Sequence, residues 1–181
     1  MASSPKRSWP TPPKPGPAGS GGVPVSIRAA APADADAIVA LVRALAVHVG
    51  DGDKVNLTSA ALAEAGAGAQ PSWRGVVAEA GGEIVGICLY SVLFSTWVGA
   101  PGLYVIDLYV LPEFRRGQLG RKLLAAAARR GREYGCRFIR LEVHHRNKSV
   151  ESFYERLGFD RRAGDTILVL QPNGFDALAG S

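Results

Sequence analysis

GLYVIDLYVLPEFRRGQLGRKLL (102–124) carries the first decision about this chain. An apolar run through Val110 and Leu111 has the composition of a strand, and Pro112 closes it. Beyond the turn, Leu119, Leu123, Leu124, Ala127 and Tyr134 fall on one side of a helix spanning 118–134. Between them lies Arg115-Arg116-Gly117-Gln118-Leu119-Gly120, followed by Arg121, richer in donors than a connector requires. A strand that turns through glycine-bearing backbone into a helix presents unpaired N–H groups at the positive end of the helix dipole. The stretch reads as an anion cradle, with phosphate the anion that suits it, although glycine-bearing strand–helix turns also serve packing alone. The spacing fits neither G-x-x-x-x-G-K-[ST] nor G-x-G-x-x-G.

Outward from this turn, the chain alternates strands and helices. VSIRAA (25–30) alternates as a strand, and after Pro32 residues Ile38, Leu41, Val42 and Leu45 take helical spacing. LTSAALAEA (57–65) is a second helix with Thr58 as its cap. GVVAEA (75–80) and EIVGICLYSVL (83–93) form a hairpin about Gly81-Gly82, and 102–112 is the next strand. RFIRLEVHH (137–145) predicts a strand, SVESFYERLG (149–158) a helix stopped by Gly158, and DTILVLQ (165–171) a closing strand. The expected fold is α/β (α+β), with a mixed central sheet of about six to seven strands and helices on both faces.

The first 22 residues hold six of the twelve prolines and no acid, so they predict a disordered basic leader. The expected domain occupies 23–172, with 173–181 as a C-terminal tail. Lys6, Arg7 and Lys14 account for three of the five net positive charges, leaving a domain too mildly basic to argue for nucleic acid. Two cysteines, Cys88 and Cys136, show neither a disulfide framework nor metal-ligand spacing, so no metal is expected. No membrane span and no secretory signal are visible, which favours a cytoplasmic setting.

Val110-Leu111-Pro112-Glu113-Phe114-Arg115, the loop ending at Gly120, and Asn147-Lys148-Ser149-Val150-Glu151-Ser152-Phe153-Tyr154-Glu155-Arg156-Leu157-Gly158-Phe159 together resemble the GCN5-related N-acetyltransferase (GNAT) superfamily. The likeness covers roughly residues 25–171. WVGAPGLYVIDLYVLPEFR (97–115) is similar to the diamine (spermidine/spermine) and thialysine acetyltransferase group within it. The middle glycine of the loop motif is Gln118 here, a position expected to be helical enough to accept it. Two of that group's acids are replaced by Ile106 and Val49, which argues against a polycation substrate.

The resemblance implies direct acetyl transfer from acetyl-CoA to a primary amine, with a small amine or amino acid as partner. Acetylation of a protein N-terminus or lysine, and non-catalytic acyl-CoA binding, are the alternatives. It implies that Arg115, Arg116, Gly117, Gln118, Leu119, Gly120 and Arg121 hold the cofactor phosphates and that Leu108, Tyr109 and Val110 hold the pantetheine. Asn147 binds the cofactor or caps the next helix. Tyr154 protonates the departing thiolate or packs beside Phe153. Asp107 and Glu142 are the acceptor-side carboxylates. Dimers are common in the family, so a homodimer is a further implication.

Overall fold

The computed structural model describes residues 23–115, 117–147, 150–162, 164 and 167–180; the leader and Arg116, Lys148 and Ser149 lie outside them. Strands β1 (Val25–Ala29), β2 (Arg74–Ala80), β3 (Glu83–Ser95), β4 (Ala100–Val110) and β5 (Ile139–Leu141) lie in the order β1-β2-β3-β4-β5. The first three pairings are antiparallel and the last is parallel. The β2–β3 hairpin turns on Gly81 and Gly82, both at positive φ (59° and 84°), the backbone that a two-residue turn of this hand demands.

Helix α1 (Ala35–Val49) follows β1, and α2 (Ser59–Ala65) follows a short connection. Thr58 caps α2, its Oγ1 accepting from the Ala61 N–H at 3.2 Å. Both helices cover one face of the sheet, where Ile38, Val39, Leu41 and Leu62 pack with Val77, Ile87, Leu89 and Tyr109. Helix α3 (Leu119–Glu133) covers the other, with Leu119, Leu123, Leu124 and Ala127 against Val76, Cys88, Tyr90, Leu103 and Val105. Burying two such layers is the main stabilising term of the domain. Arg28 ties β1 to the start of α1 through both Asp34 carboxylate oxygens (2.8 and 2.9 Å) and reaches Glu79 on β2 at 3.0 Å.

The α/β fold with a mixed sheet and helices on both faces is as the sequence predicts, with five strands among the described residues. Two strands differ. The ladder between β4 and β5 covers only Leu103↔Ile139, Tyr104↔Arg140 and Val105↔Leu141. Residues 142–145, strand-like in sequence, therefore have no neighbour to pair with. Of the expected closing strand, residues 167–171 join no sheet; Leu168 is 89% exposed, and helix α5 (Pro172–Ala179) follows. A strand needs a partner edge as well as a strand-like composition, and β5 offers three residues of one. Helix α4 (Glu151–Glu155) is the short core of the helix expected over 149–158, with Gly158 at φ 87° beyond it.

Candidate functional site

Strand β4 runs past its partner. Its pairing with β5 stops at Val105↔Leu141, yet β4 continues to Val110, held on its other side by β3 as far as Gly86↔Val110. A register shift accompanies the departure: Leu89 pairs with Asp107 and Tyr90 with Val105, so Ile106 is the extra residue of a bulge. The two parallel strands open into a fork whose inner edge is the backbone of residues 106–110.

A cleft of about 840 Å³ begins at this edge. Leu108, Tyr109 and Val110 form its floor, Gly117, Gln118, Gly120 and Arg121 one end, and Asn147, Val150, Phe153, Arg156 and Leu157 the facing wall. Leu45 and His48 of α1 close the remaining side. The start of α3 is bare. Gln118 at its N-cap makes no side-chain capping bond, so the first N–H groups of α3 are left without a cap. Instead the Gln118 Oε1 accepts from Arg121 Nη1 at 3.2 Å.

Gln118 does not adopt the helical backbone expected of it. It sits at φ 62°, ψ 26°, in the left-handed region, directly after Gly117 at φ 101°. Two successive left-handed residues curl the chain before α3, which is how a loop turns its N–H groups inward. At Gly120 an added Cβ would meet Phe153 Cζ at 3.5 Å, an ordinary contact, so any substituent beyond Cβ would grow toward the cleft wall.

Arg115 folds back on β4, its Nε donating to the Val110 carbonyl at 3.1 Å and its guanidinium lying 5.5 Å from the Tyr109 ring centre. Leu119 is a core residue, 5% exposed, and is not among the residues that line the cleft. Asn147 lines the cleft, and its carbonyl accepts from the Val150 N–H at 3.1 Å.

Phe153 and Tyr154 are neighbours in sequence but point about 100° apart on the helix. Phe153 lines the cleft. Tyr154 stands behind it, half-buried between the rings of Phe153 (5.1 Å) and Phe159 (5.4 Å) and packed on the core. Burial pushes its phenol up to about 12, with the nearby Cys88 thiol adding to the effect. Cys88 pairs across the sheet with Leu108, and both Leu108 and Tyr154 pack on the core cluster that contains Cys88. Burial also raises the Cys88 thiol, to about 12, and Asp107 contributes.

Asp107 and Glu142 lie at the apex of the fork, just past the last paired residues of β4 and β5. Neither lines the cleft. Burial raises the Asp107 carboxyl above the usual carboxylate range. Burial raises the Tyr104 phenol, and the nearby Glu142 carboxylate adds to the effect. Asp51, in the α1–α2 connection, reaches the segment after β5: its carboxylate accepts from Lys54 Nζ at 2.9 Å and lies 3.1 Å from His144 Nε2. The bond from Lys54 is the chief reason its carboxyl is held low.

Residues missed in the sequence are His48, Phe153, Arg156 and Leu157. Phe153 of α4 and Arg156 and Leu157 of the turn that follows it keep an i, i+3, i+4 spacing, a signal available in the sequence. His48 carried none. Among the described residues no cluster of three or more His, Cys, Asp or Glu could hold a metal ion, and no helix is long and apolar enough to cross a membrane.

Comparison with known proteins agrees with the geometry. The model of the acetyltransferase (GNAT) family matches residues 52–159. The chain is 36% identical over 99 residues to a thialysine N-epsilon-acetyltransferase of Sus scrofa, covering 50% of this chain and 58% of that protein. It is 31% identical over 90 residues to the N-acetyltransferase YhfO of Bacillus subtilis, covering 49% and 60%. The chain thus spans somewhat over half the length of these relatives. An integron cassette protein from the mobile metagenome of V. cholerae superposes with a TM-score of 0.71 at 19% identity, over 87% of this chain and 98% of that one. An aminoglycoside acetyltransferase from an uncultured soil metagenomic sample superposes at 0.67 and 19%, over 81% and 97%. At these identities the two structures share the fold.

Proposed function

This chain belongs to the acetyltransferase (GNAT) family, and we propose that it moves an acetyl group from acetyl-CoA directly to the primary amine of a small molecule. The observation that carries this reading is the continuity of one cleft, from the bare start of α3 to the unpaired edge of β4. One end can take phosphates and the other an extended amide-bearing arm, and acetyl-CoA has both. The uncapped N–H groups of Leu119, Gly120 and Arg121 fit a pyrophosphate, with the Arg115, Arg121 and Arg156 guanidiniums around it.

When bound, acetyl-CoA supplies the acetyl group as a thioester and a thiol as leaving group. The backbone of Leu108, Tyr109 and Val110 pairs with the pantetheine arm as a neighbouring strand would, and an N–H of that edge polarises the acyl carbonyl. Phe153 and Leu157 exclude water along the arm. Asn147 donates its side-chain amide from the opposite wall. Asp107 and Glu142, across the fork, orient the amine. Burial raises the Asp107 carboxyl above the usual carboxylate range, which makes it the better proton acceptor for the amine. In the transfer the C–N bond forms and the C–S bond breaks, the amine gives up one proton, and the sulfur gains one. Tyr154 is the donor of that proton.

The relatives named for thialysine support an amine on a molecule of amino-acid size. Ile106, exposed at the bulge, gives the acceptor side one fewer charge than a polycation would want.

A thiol-release assay with acetyl-CoA across small amines, amino acids and peptides tests the reading, and turnover with a small amine is the expected result. Tyr154→Phe keeps the ring packed between Phe153 and Phe159, so cofactor affinity should stay within a few-fold while turnover falls about 10²- to 10⁴-fold. Because the phenol lies at about 12, its own ionisation should not limit activity at neutral or mildly alkaline pH. Tight binding of acetyl-CoA without turnover on any amine would identify a non-catalytic binding module, and turnover confined to peptides would identify a protein acetyltransferase.

A further inference from the structure

A second concavity lies at the other end of α3. Gly120 and Arg121, in the first turn, belong to the large cleft, whereas Arg130 and Tyr134, in and just past the last, line a separate cavity of about 240 Å³. The rise of a helix separates Gly120 from Arg130 by about 15 Å. Trp73, just before β2, and Arg74, its first residue, line this cavity, and β3 supplies Tyr90.

Two of the lining residues are arginines, and none is acidic. Arg74 and Arg130 are each half-buried, and among the described residues neither makes an ion pair with a carboxylate. Arg74 is nevertheless held in place by neutral groups. Its Nε donates to the Tyr134 hydroxyl at 3.2 Å and its Nη1 reaches the Pro71 carbonyl at 3.5 Å. Its Cζ stands 4.7 Å from the centre of the Tyr134 ring. Most of its five N–H donors therefore remain to be used.

A partly desolvated guanidinium without a counter-charge is costly, and two facing one concavity repel each other as well. Elsewhere the chain supplies such a partner: Arg28 takes Asp34 and Glu79. At this cavity it supplies aromatic surface instead. Trp73 is buried with its Nε1 committed to the Leu62 carbonyl at 2.8 Å, so it offers only its ring. Pre-placed planar cations over aromatic walls suit a flat anion: the fork of an arginine matches a carboxylate's two oxygens, and the rings take the apolar body behind it.

We propose that this cavity is a second binding site, separate from the acetyl-transfer cleft, for a small organic carboxylate with a flat apolar body, held between Arg74 and Arg130. The volume admits a molecule the size of benzoate and excludes a nucleotide.

Titration calorimetry on the full chain, with benzoate, its neutral analogue benzamide and inorganic phosphate as probes, tests the proposal. Benzoate should bind in the millimolar range or tighter, benzamide and phosphate about tenfold more weakly or worse. Arg130→Gln, on the surface of α3, and Arg74→Gln should each weaken benzoate about tenfold or more. Arg121→Gln, in the large cleft, should leave benzoate binding unchanged and serves as the control for location. The Arg130 variant keeps the test decisive if loss of the Arg74–Tyr134 contact disturbs folding. Benzamide binding as tightly as benzoate would overturn the proposal, as would phosphate binding more tightly than benzoate. So would benzoate affinity that survives Arg130→Gln or falls with Arg121→Gln, or no benzoate binding at all.

Discussion

Gln118 is the one non-glycine residue at positive φ among those described, and substituting it measures the backbone at the start of α3 directly. For an L-residue the left-handed conformation costs about 1–2 kcal/mol. Glycine removes that cost but gives back about 0.4–1 kcal/mol through the greater freedom of the unfolded chain. The exposed Gln118–Arg121 hydrogen bond at 3.2 Å is worth at most about 0.5 kcal/mol. Gln118→Gly should therefore stabilise the protein by about 0.5 kcal/mol, a rise in Tm of roughly 1–2 °C for a domain of this size. Gln118→Val works in the opposite sense. A β-branched side chain is a true outlier in the left-handed region and should cost about 1–2 kcal/mol more than glutamine, roughly 2–8 °C. Thermal unfolding followed by calorimetry resolves the series, and acetyl-CoA affinity gives a second reading. Glycine should not weaken the cofactor, because it favours the same backbone and releases the Arg121 guanidinium into the cleft. A valine variant as stable as the wild type would refute the left-handed turn, and a loss of affinity in the glycine variant would refute its use as an anion cradle.

Gly120→Ala should bind acetyl-CoA within a few-fold of wild type, because its Cβ meets only Phe153 at 3.5 Å, whereas Gly120→Glu should abolish the Tm increase produced by acetyl-CoA without unfolding the apo protein; an undiminished shift in the glutamate variant removes the loop from the site. Asp107→Asn should raise stability at neutral pH. The folded carboxyl is raised by burial, so the unfolded chain ionises first as pH climbs past about 3.9, and stability falls until the folded group ionises too. The advantage of asparagine should therefore vanish in acid, and a loss of stability at pH 7 would instead mean that the carboxylate has a favourable partner. Gly102→Ala should destabilise by about 1–3 kcal/mol, since its Cβ would collide with the tip of the Phe138 ring; an unchanged Tm would show that the Phe138 ring swings clear at little cost.

What could be read in the sequence follows from which interactions are local. The periodicity of Leu119, Leu123, Leu124 and Ala127 describes a helix face whatever lies opposite, and these residues are the buried face of α3. Gly81-Gly82 and Thr58 act within a few residues of themselves, and both do what their types suggest. The strand expected at 165–171 and the long strand at 137–145 were inferred from composition alone, although pairing is a property of two segments. LEVHH has suitable residues, but β4 has turned away by then. Tyr154 and Phe153 show the same limit on a smaller scale. Both residues belong to the matched motif, and only the packing of α4 on the core decides which ring meets the cleft and which goes beneath it.

The fork itself left a trace in the sequence. Leu103 and Val105 face α3, and so do Leu108 and Val110, although a regular strand would put 103, 105, 107 and 109 on that side. The alternation slips by one between Val105 and Leu108, and that slip is the bulge at Ile106. A bulge sharpens the local twist, so a strand carrying one swings away from a straight parallel neighbour. The same displaced residue therefore ends the ladder to β5, frees the edge at Leu108–Val110, and brings Asp107 to the apex between the two strands. Removing the residue at 106 would restore the regular alternation while leaving Leu108, Tyr109 and Val110 in the chain. Deletion of Ile106 should thus let β4 and β5 pair further and close the edge, with acetyl-CoA binding lost while the strand content seen by circular dichroism holds or rises. Retained binding in that variant would mean the cleft does not depend on the fork.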